Sequence, residues 1–109
     1  MLGLKFSQKQ GLQKVRVPIP SLTNHEDYVL VKVKYCGICG TDIDMIKGII
    51  KWCDNVIIGH EITGTVYKLG SNVSSSEFPI NSDVVICPQE ICTKCYFCNK
   101  KYPNFCELN

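Results

Sequence analysis

Hydrophobic and polar residues alternate along several short segments of this chain, which is the spacing of β-strands rather than of helices. In residues 28–35, Val29, Val31, Val33 and Tyr35 share one face and lysines occupy the other. Successive side chains of a strand point to opposite faces. This segment is therefore predicted to be a half-buried strand with its apolar face inward.

Three other segments are predicted strands, and a short helix is expected among them. These strands span residues 15–17, 62–69 and 83–87. Prolines follow the first and the last of them, and proline ends a strand because it cannot donate a ladder hydrogen bond. Before the strand at 62–69, Thr41 is expected to cap a short helical turn that closes at Gly48.

The composition favours a mostly β fold. The 109 residues contain no alanine, which is the best helix former, whereas valine, isoleucine and threonine together make up 27. β-Branched side chains lose rotamer freedom in helices and pack well on pleated surfaces. A chain of this length closes one modest core and cannot hold two domains of usual size.

Charge and hydropathy argue against nucleic-acid and membrane partners. The 12 basic and 10 acidic residues are dispersed, for a formal net charge of +2, whereas a phosphate-binding surface needs a basic patch. The sequence has no run of 18 apolar residues, and its first ten residues lack the apolar stretch of a secretory signal. The chain is therefore predicted to be a cytoplasmic protein.

Four of the eight cysteines have the spacing of a metal site. Cys92, Cys95, Cys98 and Cys106 follow the pattern C-x2-C-x2-C-x7-C within residues 88–109, a lobe with too few apolar residues to fold by burial alone. Cytosolic thiols stay reduced, and tight turns can bring four thiolates to one zinc ion at about 2.3 Å. Such a closed site has a structural role. Two disulfides, an iron–sulfur cluster or four unrelated thiols are the alternatives.

A second group of residues has the side chains of a catalytic metal site. Cys39 is followed, 21 residues later, by His60 and Glu61 directly before a predicted strand. A thiolate, an imidazole and a carboxylate can hold zinc with one position open. The alternatives are that His60 is an ordinary structural residue and that Cys36 and Cys39 form a redox pair or half of a zinc ribbon. His25 is interpreted as a solvated loop residue.

Four sequence segments together resemble a known family. VKVKYCGICGTDIDMIKG, GHEITGTVYKLGSNV, SDVVICP and CTKCYFCNKKYPNFC occur in the order and approximate spacing of the N-terminal catalytic domain of zinc-dependent medium-chain alcohol and polyol dehydrogenases. The threonine, sorbitol and butanediol dehydrogenase branch is the most similar. The resemblance implies a GroES-like partial barrel, mostly β, with a short helix and a four-cysteine zinc loop lobe at 88–109.

The resemblance also implies roles for individual residues. Cys39 and His60 would bind a catalytic zinc ion, and Glu61 would be either a ligand or a carboxylate that exchanges with water. Thr41 would accept the proton of the substrate hydroxyl, and Asp42 would hydrogen-bond His60 and fix its tautomer. The four cysteines of the lobe would bind a structural zinc ion.

The chain departs from the family pattern at the next polar position. Asp44 stands where many members have a histidine that continues the proton relay, and a carboxylate with a reference pKa of about 3.9 is a poor relay at neutral pH. The remaining cysteines, Cys36, Cys53 and Cys87, match no ligand position. They are predicted to be packing residues.

The implied reaction is hydride transfer from a small alcohol or polyol to NAD⁺ or NADP⁺, and full-length relatives are expected to be homo-oligomers. The chain has no G-x-G-x-x-G fingerprint, so residues 1–109 are expected to be the first part of the catalytic domain, with the NAD(P)-binding Rossmann domain absent and the chain inactive alone. The alternative function is a stand-alone zinc-binding interaction module without catalysis.

Overall fold

The computed structural model describes residues 1–51 and 54–108, and most of its regular structure is β. Within those residues there are six strands, two short helices and one 3₁₀ turn. They are, in chain order, β1 (Leu2–Ser7), β2 (Gly11–Arg16), β3 (Val29–Gly37), α1 (Gly40–Ile46), β4 (Val56–Ile57), β5 (Glu61–Leu69), β6 (Asp83–Val85), α2 (Tyr96–Asn99) and the 3₁₀ turn Pro103–Phe105. The predicted mostly β class is confirmed.

The strands form two antiparallel sheets of three strands each. The first has the order β2-β1-β4, and the second has the order β3-β5-β6. β1 and β4 were not predicted from the sequence. β1 lies at the centre of its sheet, where Phe6 pairs with both Leu12 and Val56 and is buried.

The predicted inward face of β3 is wrong in its second half. Val29 and Val31 are partly buried, but Val33 is 54% exposed and Tyr35 is 77% exposed. The register of β3 against β5 shifts between Leu30 and Val31 and again between Val33 and Tyr35. Every residue from Lys32 to Gly37 is exposed, so neither face of the second half of β3 is covered within the described part of the chain.

The predicted helix exists, but its N-cap is Cys39 rather than Thr41. The Asp42 carboxylate accepts a hydrogen bond from the Cys39 backbone N–H, and the Cys39 side chain completes the reciprocal capping arrangement with the third helical position. An acidic residue at that position satisfies a backbone donor that the helix itself leaves unpaired. The helix ends before Gly48, as predicted.

The other predicted elements differ from the observed ones mainly at their ends. The strand predicted at 15–17 is the end of β2, and the strand predicted at 83–87 is shortened to β6. Cys36 and Cys87 were predicted to be packing residues, and both are exposed, although the Cys36 sulfur packs against Gly59; Cys53 lies outside the described residues. His25 is an exposed loop residue, as predicted.

Few large side chains are fully enclosed in the described part of the chain. The buried hydrophobic residues there are Phe6, Met45, Val66 and Cys106. Val66, at the centre of β5, has no exposed surface, and Met45 is buried on α1. No helix among the described residues is long and apolar enough to cross a bilayer.

Candidate metal centres

The described residues bring two groups of metal-binding side chains together. The four-cysteine cluster comprises Cys92, Cys95, Cys98 and Cys106, whose sulfur atoms all lie within 4.8 Å of one another. The sulfurs of Cys92 and Cys98 are 3.9 Å apart. A tetrahedral zinc ion with bonds of about 2.3 Å requires sulfurs separated by roughly 3.8 Å. The donor set and its spacing therefore fit zinc.

Backbone amides point at the sulfurs of the four-cysteine cluster. The N–H groups of Cys95 and Cys98 donate to the sulfurs of Cys92 and Cys95, at 3.2 and 3.5 Å. Those of Cys92 and Leu108 donate to the sulfur of Cys106, at 3.3 and 3.5 Å. Cys95 is the N-cap of the short helix α2, which places Cys98 on its only turn. The turns of the lobe therefore both gather the sulfurs and supply donors that stabilise thiolates.

The sulfurs of this cluster differ in how readily they ionise. Hydrogen bonds from the backbone of Glu107 and Cys98 lower the pKa of Cys95 to about 6, and those from Cys92 and Leu108 lower the pKa of Cys106. Desolvation, followed by the neighbouring Cys95 side chain, raises the pKa of Cys98 to about 12. Four adjacent thiolates repel one another, so a bound cation is what would allow all four to ionise together.

The three-ligand cluster comprises Cys39, His60 and Glu61, whose donor atoms also lie within 4.8 Å of one another. Its position follows from the pairing of two strands. β3 ends at Gly37, directly opposite Glu61 at the start of β5. Cys39 is the N-cap of α1, two residues after the end of β3, and His60 directly precedes β5. Antiparallel pairing therefore places the end of one strand and the start of the other at the same site.

A buried carboxylate joins two members of the three-ligand cluster. Asp42 is 5% exposed, and its Oδ2 accepts a hydrogen bond of 2.9 Å from the Cys39 backbone N–H. Its Oδ1 lies 3.5 Å from Nδ1 of His60. A carboxylate at one ring nitrogen of histidine orients the ring and leaves the other nitrogen, Nε2, available to a metal.

A hydroxyl group also lies beside this cluster. Thr41 is exposed on α1, and its Oγ1 is 3.7 Å from the sulfur of Cys39. Asp44, the other predicted proton carrier, is half-buried on α1 and is not part of either cluster in the described residues. Its backbone carbonyl accepts hydrogen bonds from Ile49 and Ile50 after the helix.

The donor set of the three-ligand cluster fits a zinc ion that also binds substrate. One thiolate, one imidazole and one carboxylate are three protein ligands, and zinc prefers four. The fourth position is then free for a substrate oxygen or water. Cys39 and His60 are partly buried, and Glu61 is exposed. The four-cysteine cluster includes the buried Cys106, so the three-ligand cluster is the more accessible of the two.

Two glycines next to the ligands have a role in the site that was not predicted from the sequence. Glu61 folds over Gly37, and the Cys36 sulfur occupies the space where a side chain of Gly59 would lie. Gly59 also has a φ of 109°, a backbone conformation that residues with a side chain rarely adopt. The only signal in the sequence is that each glycine stands within two residues of a ligand.

Comparisons with known proteins point to one family. Residues 25–109 match the family model of the alcohol dehydrogenase GroES-like domain. The chain is 34% identical over 108 residues to D-arabinitol dehydrogenase 1 of Uromyces fabae. That match covers 98% of this chain and 30% of the relative.

Solved structures of dehydrogenases have the same fold over nearly the whole chain. Alcohol dehydrogenase TADH from Thermus sp. ATN1 matches with a TM-score of 0.81 and 29% identity, over 98% of this chain and 30% of that one. Galactitol-1-phosphate dehydrogenase from Escherichia coli matches with a TM-score of 0.85 and 26% identity, over the same shares of the two chains. The chain therefore spans about 30% of the length of these proteins.

Proposed function

Because the chain belongs to the alcohol dehydrogenase GroES-like domain family, we propose that it supplies the metal-binding part of the catalytic domain of a zinc-dependent, NAD(P)-linked alcohol or polyol dehydrogenase. The observation that carries this proposal is the three-ligand cluster, which has an oriented histidine and an adjacent hydroxyl. The names of the relatives support polyols and other small alcohols as the substrate class.

Cys39, His60 and Glu61 would hold the catalytic zinc ion. When bound, zinc supplies a Lewis acid that lowers the pKa of a substrate hydroxyl. The four-cysteine cluster would hold a second, structural ion that orders the lobe at 88–109. Structural sites of this kind contribute folding free energy on the order of 10 kcal/mol or more.

The remaining residues of the site would orient the ligands and move the proton. Asp42 holds the ring of His60 through Nδ1 and, by the same carboxylate, the first turn of α1 that carries Cys39. Thr41 would accept the proton of the substrate hydroxyl at Oγ1. Because Thr41 is exposed, it can pass that proton to water without a further side chain. This route makes a histidine at position 44 unnecessary, and Asp44 would serve at most as a secondary acceptor.

Hydride transfer requires a nicotinamide beside the substrate carbon. No segment of the sequence has the glycine fingerprint of a dinucleotide fold, so we propose that NAD⁺ or NADP⁺ binds to a different part of the full protein. Residues 1–109 would be the first part of the catalytic domain, and they would contribute the metal ligands and the proton acceptor. Their role toward the cofactor is to present the substrate in the right orientation.

Metal stoichiometry tests the proposed site directly. The purified chain, saturated with zinc and freed of excess metal, should contain two zinc ions by elemental analysis. Cys39→Ser should contain one, because it removes a ligand of the three-ligand cluster only. A stand-alone interaction module with a single structural site predicts one ion in the unaltered chain and no loss in Cys39→Ser.

The reaction itself can be tested in a chimera. The aligned part of this chain would replace the matching segment of D-arabinitol dehydrogenase 1, whose remaining 70% supplies the rest of an enzyme. NAD(P)H formation from a panel of polyols and primary and secondary alcohols is the expected result. A chimera that binds two zinc ions and the cofactor but oxidises none of them would contradict the proposed function.

A further inference from the structure

The side chain of Glu61 lies across the neighbouring strand at a position that only glycine leaves open. Glu61 pairs with Gly37 in the β3–β5 ladder. A Cβ added to Gly37 would lie 2.5 Å from Oε2 of Glu61, 3.1 Å from its Cβ and 3.5 Å from its Cδ. The three nearest atoms to that position all belong to this one side chain. Glu61 therefore occupies the space that a side chain at position 37 would need.

This contact acts on a proposed metal ligand. The Glu61 carboxylate lies within 4.8 Å of the donor atoms of Cys39 and His60 in the position that it adopts over Gly37. Glu61 is exposed and has several rotatable bonds, so it could take many other conformations in which its carboxylate points to solvent. Occupying the space over Gly37 limits that freedom.

We propose that Gly37 is a positioning residue for the metal centre, because it admits the Glu61 side chain to a location from which its carboxylate reaches the same ion as Cys39 and His60. The inference rests on the proposed function, in which these three residues bind zinc. If the inference is right, β3 contributes to the site in two ways: it leads to Cys39, and its glycine at position 37 leaves room for the Glu61 side chain.

The substitution Gly37→Ala tests this inference without a large effect on folding. The closest atom to the new methyl group is the far end of a flexible side chain, so the carboxylate must move away, whereas the contact with the Glu61 Cβ at 3.1 Å requires a shift of only a few tenths of an ångström. We expect the affinity of the three-ligand cluster for zinc to fall by about tenfold or more, which is the range seen when residues that orient metal ligands are removed. The four-cysteine cluster should bind zinc as before.

A matched control is available one residue after Cys39. Gly40 lies at the start of α1, and a Cβ added there meets no atom within 4 Å. Gly40→Ala should therefore leave both zinc affinities unchanged. The two affinities are measured on the chain by competition with a chromophoric chelator, and Co²⁺ spectra distinguish the mixed-ligand site from the four-thiolate site.

A double-mutant cycle separates this role from a general structural one. In Glu61→Gly, the added methyl group at position 37 has neither a carboxylate nor a Cβ of residue 61 to displace, so Gly37→Ala should cause no further loss of affinity. Additive losses would overturn the inference, because Gly37 would then act through the backbone. Unchanged affinity in Gly37→Ala, or in Glu61→Gly, would overturn it as well.

Three further outcomes are distinguishable. If Gly37→Ala fails to fold, adding Glu61→Gly should restore folding, since all three close contacts of the new methyl group are with the Glu61 side chain, and failure to restore it would overturn the inference. If the unaltered chain binds no second ion, both the proposed metal centre and this inference are overturned. If it binds a second ion that is lost in Cys39→Ser but not weakened in Gly37→Ala, the proposed function stands and only the inference fails.

Discussion

Oδ1 of Asp42 lies 3.5 Å from Nδ1 of His60, although the two residues belong to different elements. Asp42 is on α1 and His60 directly precedes β5. The same carboxylate accepts the backbone N–H of Cys39 through its other oxygen. One buried acidic side chain therefore fixes two of the three proposed zinc ligands relative to each other.

Replacing this carboxylate by an amide should weaken zinc binding at the three-ligand cluster. The substitution Asp42→Asn would keep the shape of the side chain but offer one acceptor where the structure uses two, so either Cys39 N–H or His60 Nδ1 would lose its partner. We expect a loss of about 10- to 100-fold in affinity for the second zinc ion, measured by chelator competition.

The control for this prediction lies on the same helix. Asp44→Asn makes the same chemical change at a half-buried position outside both clusters, and it should leave the affinity unchanged. Equal zinc affinity in Asp42→Asn and the unaltered chain would contradict the proposed role of Asp42.

Removing one sulfur from the four-cysteine cluster should cause the loss of its zinc ion and the unfolding of the lobe. Cys98 contributes a sulfur to this cluster from α2, and Cys106 is the only buried residue among the described residues 88–108 of the lobe. In Cys98→Ser we expect one zinc ion fewer and rapid tryptic cleavage after Lys100 and Lys101. Elemental analysis and the time course of proteolysis measure the two effects.

Cys87→Ser is the matched control for that experiment. Cys87 is exposed and lies outside the four-cysteine cluster, so its replacement should retain both zinc ions and the resistance of the lobe to trypsin. A lobe that stays resistant in Cys98→Ser would show that packing, rather than metal, holds it together.

The grouping of metal-binding side chains was more predictable from the sequence than the pairing of the strands around them. The four cysteines of the lobe could be recognised by their short spacings, whereas Cys39 and His60 lie 21 residues apart and their grouping depended on the resemblance to a known family. Cys92 and Cys95, for example, are brought together by one local turn. Such a relationship depends on residues that are adjacent in sequence, and a sequence pattern can describe it.

The fold features that escaped prediction depend on distant residues. β1 was not predicted although Leu2, Leu4 and Phe6 alternate with Gly3, Lys5 and Ser7, and it is held by pairing with β2 on one side and β4 on the other. Val33 and Tyr35 also alternate, yet both are exposed, because alternation does not specify what covers a face. The N-cap was misplaced by two residues because Asp42 satisfies the N–H of Cys39.

Substitution at the centre of β5 should destabilise the chain more than the same substitution at an edge. Val66 is fully buried, so Val66→Ala removes two buried methyl groups and should lower the free energy of unfolding by about 2 kcal/mol. Val85 on β6 is 80% exposed, and Val85→Ala should cost less than about 0.5 kcal/mol. Denaturant unfolding of the zinc-loaded chain measures both, and equal losses would contradict the assignment of Val66 to the core.

The hydroxyl of Thr41 should be required for the reaction and not for metal binding. Its Oγ1 is 3.7 Å from the Cys39 sulfur, but Thr41 is not among the three ligands. In the chimera described above, Thr41→Val keeps the size of the side chain and removes the proton acceptor, so kcat should fall by about 100-fold or more. Thr41→Ser restores a hydroxyl and should retain most of the activity, and both variants should still bind two zinc ions. Full activity in Thr41→Val would mean that the substrate proton leaves by another route, whereas loss of zinc in that variant would mean that Thr41 supports the ligands instead.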